Sequence, residues 1–452
     1  MTHGGDSLVR FAGAIDLLPA AELTQLRDRS TSADTTVRAA TADIVASVRS
    51  GGDAALVAMA RKYDRASLSS LEVPRERWEL ALDRLKPSLR AALERAAANI
   101  ERAHRAFLPR AEEVETEPGV IVGRRPDPLG RVGVYAPGGR AAYPSSVLMG
   151  VVPARVAGVG EVIVCSPPGE SGRPSDVVLA AAALGGADRL FAIGGAGAIA
   201  AMAYGTQTVP RVDLIVGPGN AYVAEAKLQV SDVVAIDAPA GPSELLVLAD
   251  GSADPAQVAR EMLGQAEHDP RAAVIAVVVG DETAAQVMEA LRIQLPLMER
   301  QEIATAALAS RGALLTARDH DEAIAFANGY APEHLLLAVT DPVAQDAMLA
   351  RLRNCGTVFL GPTSSVAFGD YMTGANHVLP TGGLARCYSG LSTLDFVRWT
   401  SYQRVSAQAA AAMANDVGLL ADAEGLPGHA AAARAWATSD AAAQVADAES
   451  GA

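Results

Sequence analysis

Four of the seven histidines in this chain stand beside other side chains able to bind a metal or move a proton. Gln265-Ala266-Glu267-His268 ends a helical stretch whose apolar face includes Val258, Met262 and Leu263, with Asp269-Pro270 as the stop. Residues 265 and 268 are three apart and so share a helix face, where an amide oxygen and an imidazole can meet one cation. Glu333-His334 follows Pro332 and precedes the apolar run Leu335 to Val339, which places both side chains at a strand entrance, on adjacent positions pointing different ways. An acid paired with an imidazole suits two separate proton transfers. Asp370 and His377 lie in a Gly-rich stretch too polar for core and too aromatic for a linker, and the turn Glu424 to His429 lifts a carboxylate and an imidazole out of an Ala-rich background. Together Gln265, His268, Asp370 and His429 would offer O, N, O and N donors with one formal negative charge. That set suits Zn²⁺ or Mn²⁺ and leaves the metal electrophilic. The remaining histidines, His3, His104 and His320, sit in segments without another chemical signal.

The frame for these residues reads as α/β. From about Val37 to Ala111 apolar residues fall at helical spacing, predicting three or more helices. From Gly130 short β-rich runs alternate with helical stretches: Arg131 to Tyr135, Glu161 to Cys165, Arg189 to Ile193, Asp213 to Val216 and Val233 to Ile236. A second series comprises Leu245 to Leu248, Val274 to Val279, Ala313 to Thr316, Leu335 to Val339 and Thr357 to Leu360. This spacing predicts two Rossmann-like parallel-sheet units. Glycine turns follow three strands of the first series: Pro137-Gly138-Gly139, Gly194-Gly195-Ala196-Gly197 and Gly217-Pro218-Gly219-Asn220. Each alone is a tight turn; three at strand ends on one unit point to a ligand whose phosphates meet backbone N–H groups. After about Ser406 the chain reads as helical, and from about Thr438 as low in complexity.

Composition narrows the function classes. A length of 452 residues predicts two or three globular units, and an apolar half is enough to bury a sizeable core. A net charge of −14 argues against nucleic-acid or anionic-membrane partners. The longest apolar runs, such as Ala272 to Gly280, fall well short of a spanning helix, and Asp16 and Glu22 interrupt the stretch that a leader would need. Cys165, Cys355 and Cys387 form no CxxC pair and predict a reducing, cytoplasmic setting.

On these blocks the chain resembles the histidinol dehydrogenase family, from about Leu17 to about Arg434. The strongest stretches are GRVGVYAPGG (Gly130 to Gly139), VDLIVGPGNAYVAEAK (Val212 to Lys227), AGPSE (Ala240 to Glu244), QAEHD (Gln265 to Asp269), APEHL (Ala331 to Leu335) and GDYMTGANHVLPT (Gly369 to Thr381), completed by the Glu424 to His429 turn. The resemblance implies a zinc- and NAD-dependent, four-electron oxidation of L-histidinol to L-histidine through bound L-histidinaldehyde. It assigns Gln265, His268, Asp370 and His429 to one Zn²⁺ per subunit, Glu333 and His334 to catalysis, and Tyr135, Gly197 and Asn220 to the cofactor. Ser243, Gln265, His268, His334, Asp370, His377, Glu424 and His429 become substrate contacts.

It further implies an intertwined homodimer in which His429 and Glu424 cross to the other subunit. The implied organisation is an N-terminal segment (1–30), a discontinuous Rossmann-like domain with metal and catalytic residues (31–130 and 243–391), an NAD-binding Rossmann-like domain (131–242) and a C-terminal helical tail (392–452). One position departs from the family: Gly197 stands where a Gln usually meets the cofactor. Its loss would weaken NAD binding, or let the backbone serve instead. A related NAD-dependent metal dehydrogenase acting on another polar alcohol is the alternative, and His377 and Glu424 favour histidinol. A non-catalytic relative would lack a base or a metal ligand, and none is missing.

Overall fold

The computed structural model describes residues 8–29, 34–138 and 142–437. His3, Gly139 and the stretch from Thr438 lie outside them. In chain order the strands are β1 (Phe11–Ala14), β2 (Glu112–Glu117), β3 (Val120–Pro128), β4 (Arg131–Tyr135), β5 (Glu161–Ser166), β6 (Arg189–Ala192), β7 (Leu214–Val216), β8 (Ala235–Ile236), β9 (Glu244–Ala249), β10 (Ala273–Val279), β11 (Ala313–Ala317), β12 (His334–Leu337), β13 (Thr357–Leu360) and β14 (Val397–Val405). The chain divides into two compact units, Met1–Leu108 with Leu129–Phe396, and Pro109–Pro128 with Val397–Ala452.

The first unit holds two parallel sheets. The five-stranded sheet has the order β6-β5-β4-β7-β8 and the six-stranded sheet the order β1-β11-β10-β9-β12-β13. All ten expected strands are present, and the two series fall into these two sheets. The central strands are apolar throughout: AVIAVVV in β10 is buried over all but its last residue, because helices cover both faces of a parallel sheet. In the five-stranded sheet the order reverses between β4 and β7, so their carboxyl ends form the crevice where open α/β sheets take ligands. The helices Thr35–Tyr63, Arg75–Asp83 and Pro87–Ala106 occupy the stretch where helical spacing predicts them. Among the described residues no helix is long and apolar enough to cross a membrane.

Four strands have no counterpart in the sequence reading. β1 joins the six-stranded sheet beside β11, bringing part of the N-terminal segment into it. The second unit, by itself, is an antiparallel sheet of order β14-β3-β2 followed by the helices Ala407–Ala423 and Pro427–Arg434. β2 (EEVETE) is exposed along its length, and β14 (VRWTSYQRV) mixes apolar and basic residues. Their backbone pairing with β3 defines them, and a search for apolar runs passes over such strands.

Candidate active site

Glu244 opens β9, His334 opens the neighbouring β12, and His334 lies in register with Leu245. The Glu244 N–H donates to Glu333 Oε2 at 2.7 Å, and the Glu244 carbonyl lies 3.0 Å from His334 Nδ1. Glu333 and His334 therefore sit at the amino ends of their strands, away from the strand ends that open α/β sheets ordinarily use. They also meet each other, Glu333 Oε2 lying 3.4 Å from His334 Nδ1. The expectation that they point different ways is corrected here: side chains alternate only within a strand, and Glu333 precedes it. Both are buried, at 6% and 4% exposure.

On the other side His334 Nε2 is 3.6 Å from Asp370 Oδ1, too long for a hydrogen bond, and is a buried nitrogen without a partner. Burial pulls the His334 imidazole down, but Glu333 and then Asp370 outweigh it and push the group up to about 10. Asp370 shows the reverse: burial raises its carboxyl, while His334 and the charges of His377 and His268 hold it below its ordinary value. The Asp370 carbonyl accepts from His377 Nδ1 at 2.8 Å, and His377 Nε2 lies 3.4 Å from the buried Ser146 hydroxyl. Asn376 secures the same loop by donating to the Met149 carbonyl at 2.8 Å.

Gln265 is buried in the last turn of the helix Pro255–Ala266. His268 is exposed and sits beyond the Glu267 cap, its N–H bonded to the Gln265 carbonyl at 3.3 Å. The two therefore do not share a regular helix face; a closing turn ties them together. Ser243, half-buried immediately before β9, accepts the Ala273 N–H through its carbonyl at 3.0 Å. Among the described residues no group of three or more His, Cys, Asp or Glu could hold a metal. The first unit supplies only an amide oxygen, an imidazole and a carboxylate from the expected set. Those donors fit Zn²⁺ in kind and fall one short of a tetrahedral site in number.

At the five-stranded sheet, Tyr135 ends β4 and its hydroxyl accepts the Gly195 N–H at 3.1 Å. Burial pushes that hydroxyl up to about 12, so it stays neutral. Asn220 caps the helix Ala221–Val230, its side-chain oxygen accepting from the Tyr222 and Val223 N–H groups. Gly217, with φ +115°, passes so close to the Tyr135 carbonyl that a Cβ there would collide with it. A buried Lys227–Asp237 pair braces this turn: Lys227 donates to the Gly217 carbonyl at 2.8 Å and Asp237 accepts the Gly217 N–H at 2.7 Å.

Gly197 is buried in the first turn of the helix Gly195–Tyr204, and a Cβ there would lie 3.1 Å from Met59 Sδ and 3.4 Å from Leu56 Cδ2. A side chain here would start against the helix Thr35–Tyr63, and glycine leaves only its backbone to meet a ligand. Burial pushes the Cys165 thiol up, in keeping with an inert cysteine. In the second unit, Glu424 follows the helix Ala407–Ala423 as its cap and His429 lies in Pro427–Arg434, both exposed.

Three residues at this site carry no role in the sequence reading. Glu244 is buried and paired with the equally buried Arg29, and Ser146 approaches His377 from the helix Pro144–Ala157. Glu244 had one local signal, a carboxylate opening a fully buried strand, which demands a partner. Arg29 and Ser146 had none.

Fold and site define an α/β enzyme with a buried imidazole between two carboxylates. The histidinol dehydrogenase sequence profile matches residues 27–436. A histidinol dehydrogenase of Methanosarcina barkeri is 46% identical over 392 residues, covering 86% of this chain and 90% of that protein. One of Chromobacterium violaceum is 48% identical over 407 residues, covering 89% and 93%. The crystal structure of histidinol dehydrogenase from Elizabethkingia anophelis superposes with a TM-score of 0.90 at 34% identity, covering 96% of this chain and 99% of that one. The chain belongs to the histidinol dehydrogenase family and is an oxidoreductase.

Proposed function

We propose that the chain carries out the last oxidations of histidine biosynthesis in the cytoplasm: L-histidinol, two NAD⁺ and water give L-histidine, two NADH and three protons, through bound L-histidinaldehyde. The observation that carries this reading is the buried Glu333–His334 pair with Asp370 beside it, because each oxidation must remove one proton as hydride departs. Since a carbonyl only accepts, the Glu244 contact keeps a proton on Nδ1 whether the ring is charged or neutral, so Nε2 is the nitrogen that gains and loses one; the ring takes the alcohol's proton in its neutral form, whose share grows as pH rises toward about 10. Glu333 accepts from the Glu244 N–H through Oε2, leaving its other oxygen for a water that hydrates the aldehyde. His377, tied to Asp370 and Ser146, would hold the substrate together with Ser243 and the partner subunit's Glu424.

Gln265, His268 and Asp370, with the partner subunit's His429, would hold one Zn²⁺; that ion would supply a Lewis-acid anchor for the substrate's nitrogens. The 131–242 region would take NAD at the crevice between β4 and β7, with Tyr135, Asn220 and the Gly197 backbone around it, and 31–130 with 243–391 would carry the chemistry. The homodimer in this reading rests on the family resemblance, with Glu424 and His429 of the partner subunit completing each site. Measuring NADH formed per histidinol consumed, with the product identified, tests the reading: two NADH and L-histidine are expected. One NADH with released aldehyde, or no turnover of histidinol by the zinc-loaded protein, would overturn it.

A further inference from the structure

We propose that Glu244, clamped by Arg29, is a positioning residue that holds Glu333 and His334 together; this rests on reading those two as the catalytic pair. Glu244 touches both through its backbone, its N–H at Glu333 Oε2 (2.7 Å) and its carbonyl at His334 Nδ1 (3.0 Å). One peptide segment can orient two side chains only if its own planes are fixed, and the Glu244 carboxylate fixes them. One oxygen accepts from Arg29 and the other from the Gly382 N–H at 2.7 Å.

Arg29 is anchored in turn. It donates to the Tyr330 carbonyl, and its guanidinium lies 3.5 Å from the centroid of the Tyr330 ring. Tyr330 ends the helix His320–Tyr330, and the next residue, Ala331, has φ +57°, a left-handed conformation that a side chain disfavours. The chain then runs through Pro332 into Glu333. Arg29 therefore ties the start of β9 to the strained turn that delivers the pair. A buried ion pair is poor evidence for stability, since apolar replacements often match it, but it does define geometry.

The test compares Arg29→Met, Arg29→Lys and Glu244→Gln in the full-length, zinc-loaded enzyme, with His334→Ala and Glu333→Gln as references. Arg29→Met and Glu244→Gln are expected to lower kcat about 10- to 100-fold with KM for histidinol and NAD within about threefold, and Arg29→Lys to recover part of the loss. Because the clamp acts through the pair, Arg29→Met added to His334→Ala should change the residual rate by no more than about twofold. Folded Arg29→Met and Glu244→Gln proteins with kcat within about threefold of wild type overturn the proposal, as does a full additional loss in the His334→Ala background. Should Arg29→Met fail to fold, Arg29→Lys and Glu244→Gln decide by the same kcat criterion. Full turnover in His334→Ala and Glu333→Gln would remove the catalytic-pair reading itself, whereas full turnover in the clamp variants alone removes only the clamp.

Discussion

His334 Nδ1 lies 3.0 Å from the carbonyl oxygen of Glu244, ninety residues away in the chain, and Nε2 on the far side of the ring faces Asp370. Under the proposed reading this orientation gives Glu333 and His334 separate duties. His334→Ala should lose both half-reactions, whereas Glu333→Gln, which keeps an acceptor for the Glu244 N–H, should lower the overall reaction about 100-fold or more and the aldehyde-forming step less than about tenfold. Single-turnover measurements with histidinol and with histidinaldehyde separate the two steps. Equal loss of the first step in both variants counts against the division.

Removing the metal should separate chemistry from cofactor binding, because Gln265 and His268 lie between β9 and β10 and Asp370 follows β13 of the six-stranded sheet, whereas the glycine turns follow strands of the five-stranded one. Chelation is expected to abolish turnover, Zn²⁺ to restore it, and NAD binding measured by calorimetry to change by less than about threefold. Full activity in a demonstrably metal-free preparation refutes the metal assignment.

Gly197→Gln should destabilise the protein rather than tighten NAD. The new side chain would enter the contact with Leu56 and Met59, and overpacking of this kind costs about 1–3 kcal/mol. A lower Tm with unchanged or weaker NAD affinity is expected. Tighter NAD binding at an unchanged Tm would show that the side chain escapes toward the ligand.

The crossed tail is checked by complementation. Inactive His268→Ala and His429→Ala proteins, unfolded and refolded together, form hybrids in which one site regains both ligands if His429 serves the partner. Random pairing makes about half of the dimers hybrid, each with one good site, so activity should approach about a quarter of wild type. A mixture that contains confirmed hybrids and stays inactive places His429 in its own chain's site.

His104 should make the fold acid-sensitive. It is 2% exposed near the end of the helix Pro87–Ala106, neither ring nitrogen has a hydrogen-bond partner, and burial pulls it down to about 4. The unfolded chain takes up this proton near the ordinary histidine value of about 6.5, so the stability contributed at neutral pH is lost as pH falls from there toward about 4, in total about 3 kcal/mol. His104→Leu should remove that part of the acid dependence when urea midpoints at pH 7.5 and 5 are compared with wild type. Identical slopes would assign the proton uptake elsewhere.

The ten strands of the two series, their order and the chemistry-bearing motifs were legible in the sequence because each depends on local apolar runs and turn chemistry. β4 and β13 even begin and end at the expected residues. Directions were legible only where alternation holds, and it fails for Glu333, one residue outside its strand, and says nothing of whether Gly197 faces a ligand or the packed helix at Met59. The exposed strands β2 and β14 exist through pairing and carry no burial pattern to read. Arg29 finds Glu244 across 215 positions and Ser146 finds His377 across 231. Such partnerships follow from which parallel strands become neighbours and how the helices cover them, a choice made by the packing of the whole unit rather than by any stretch of the chain.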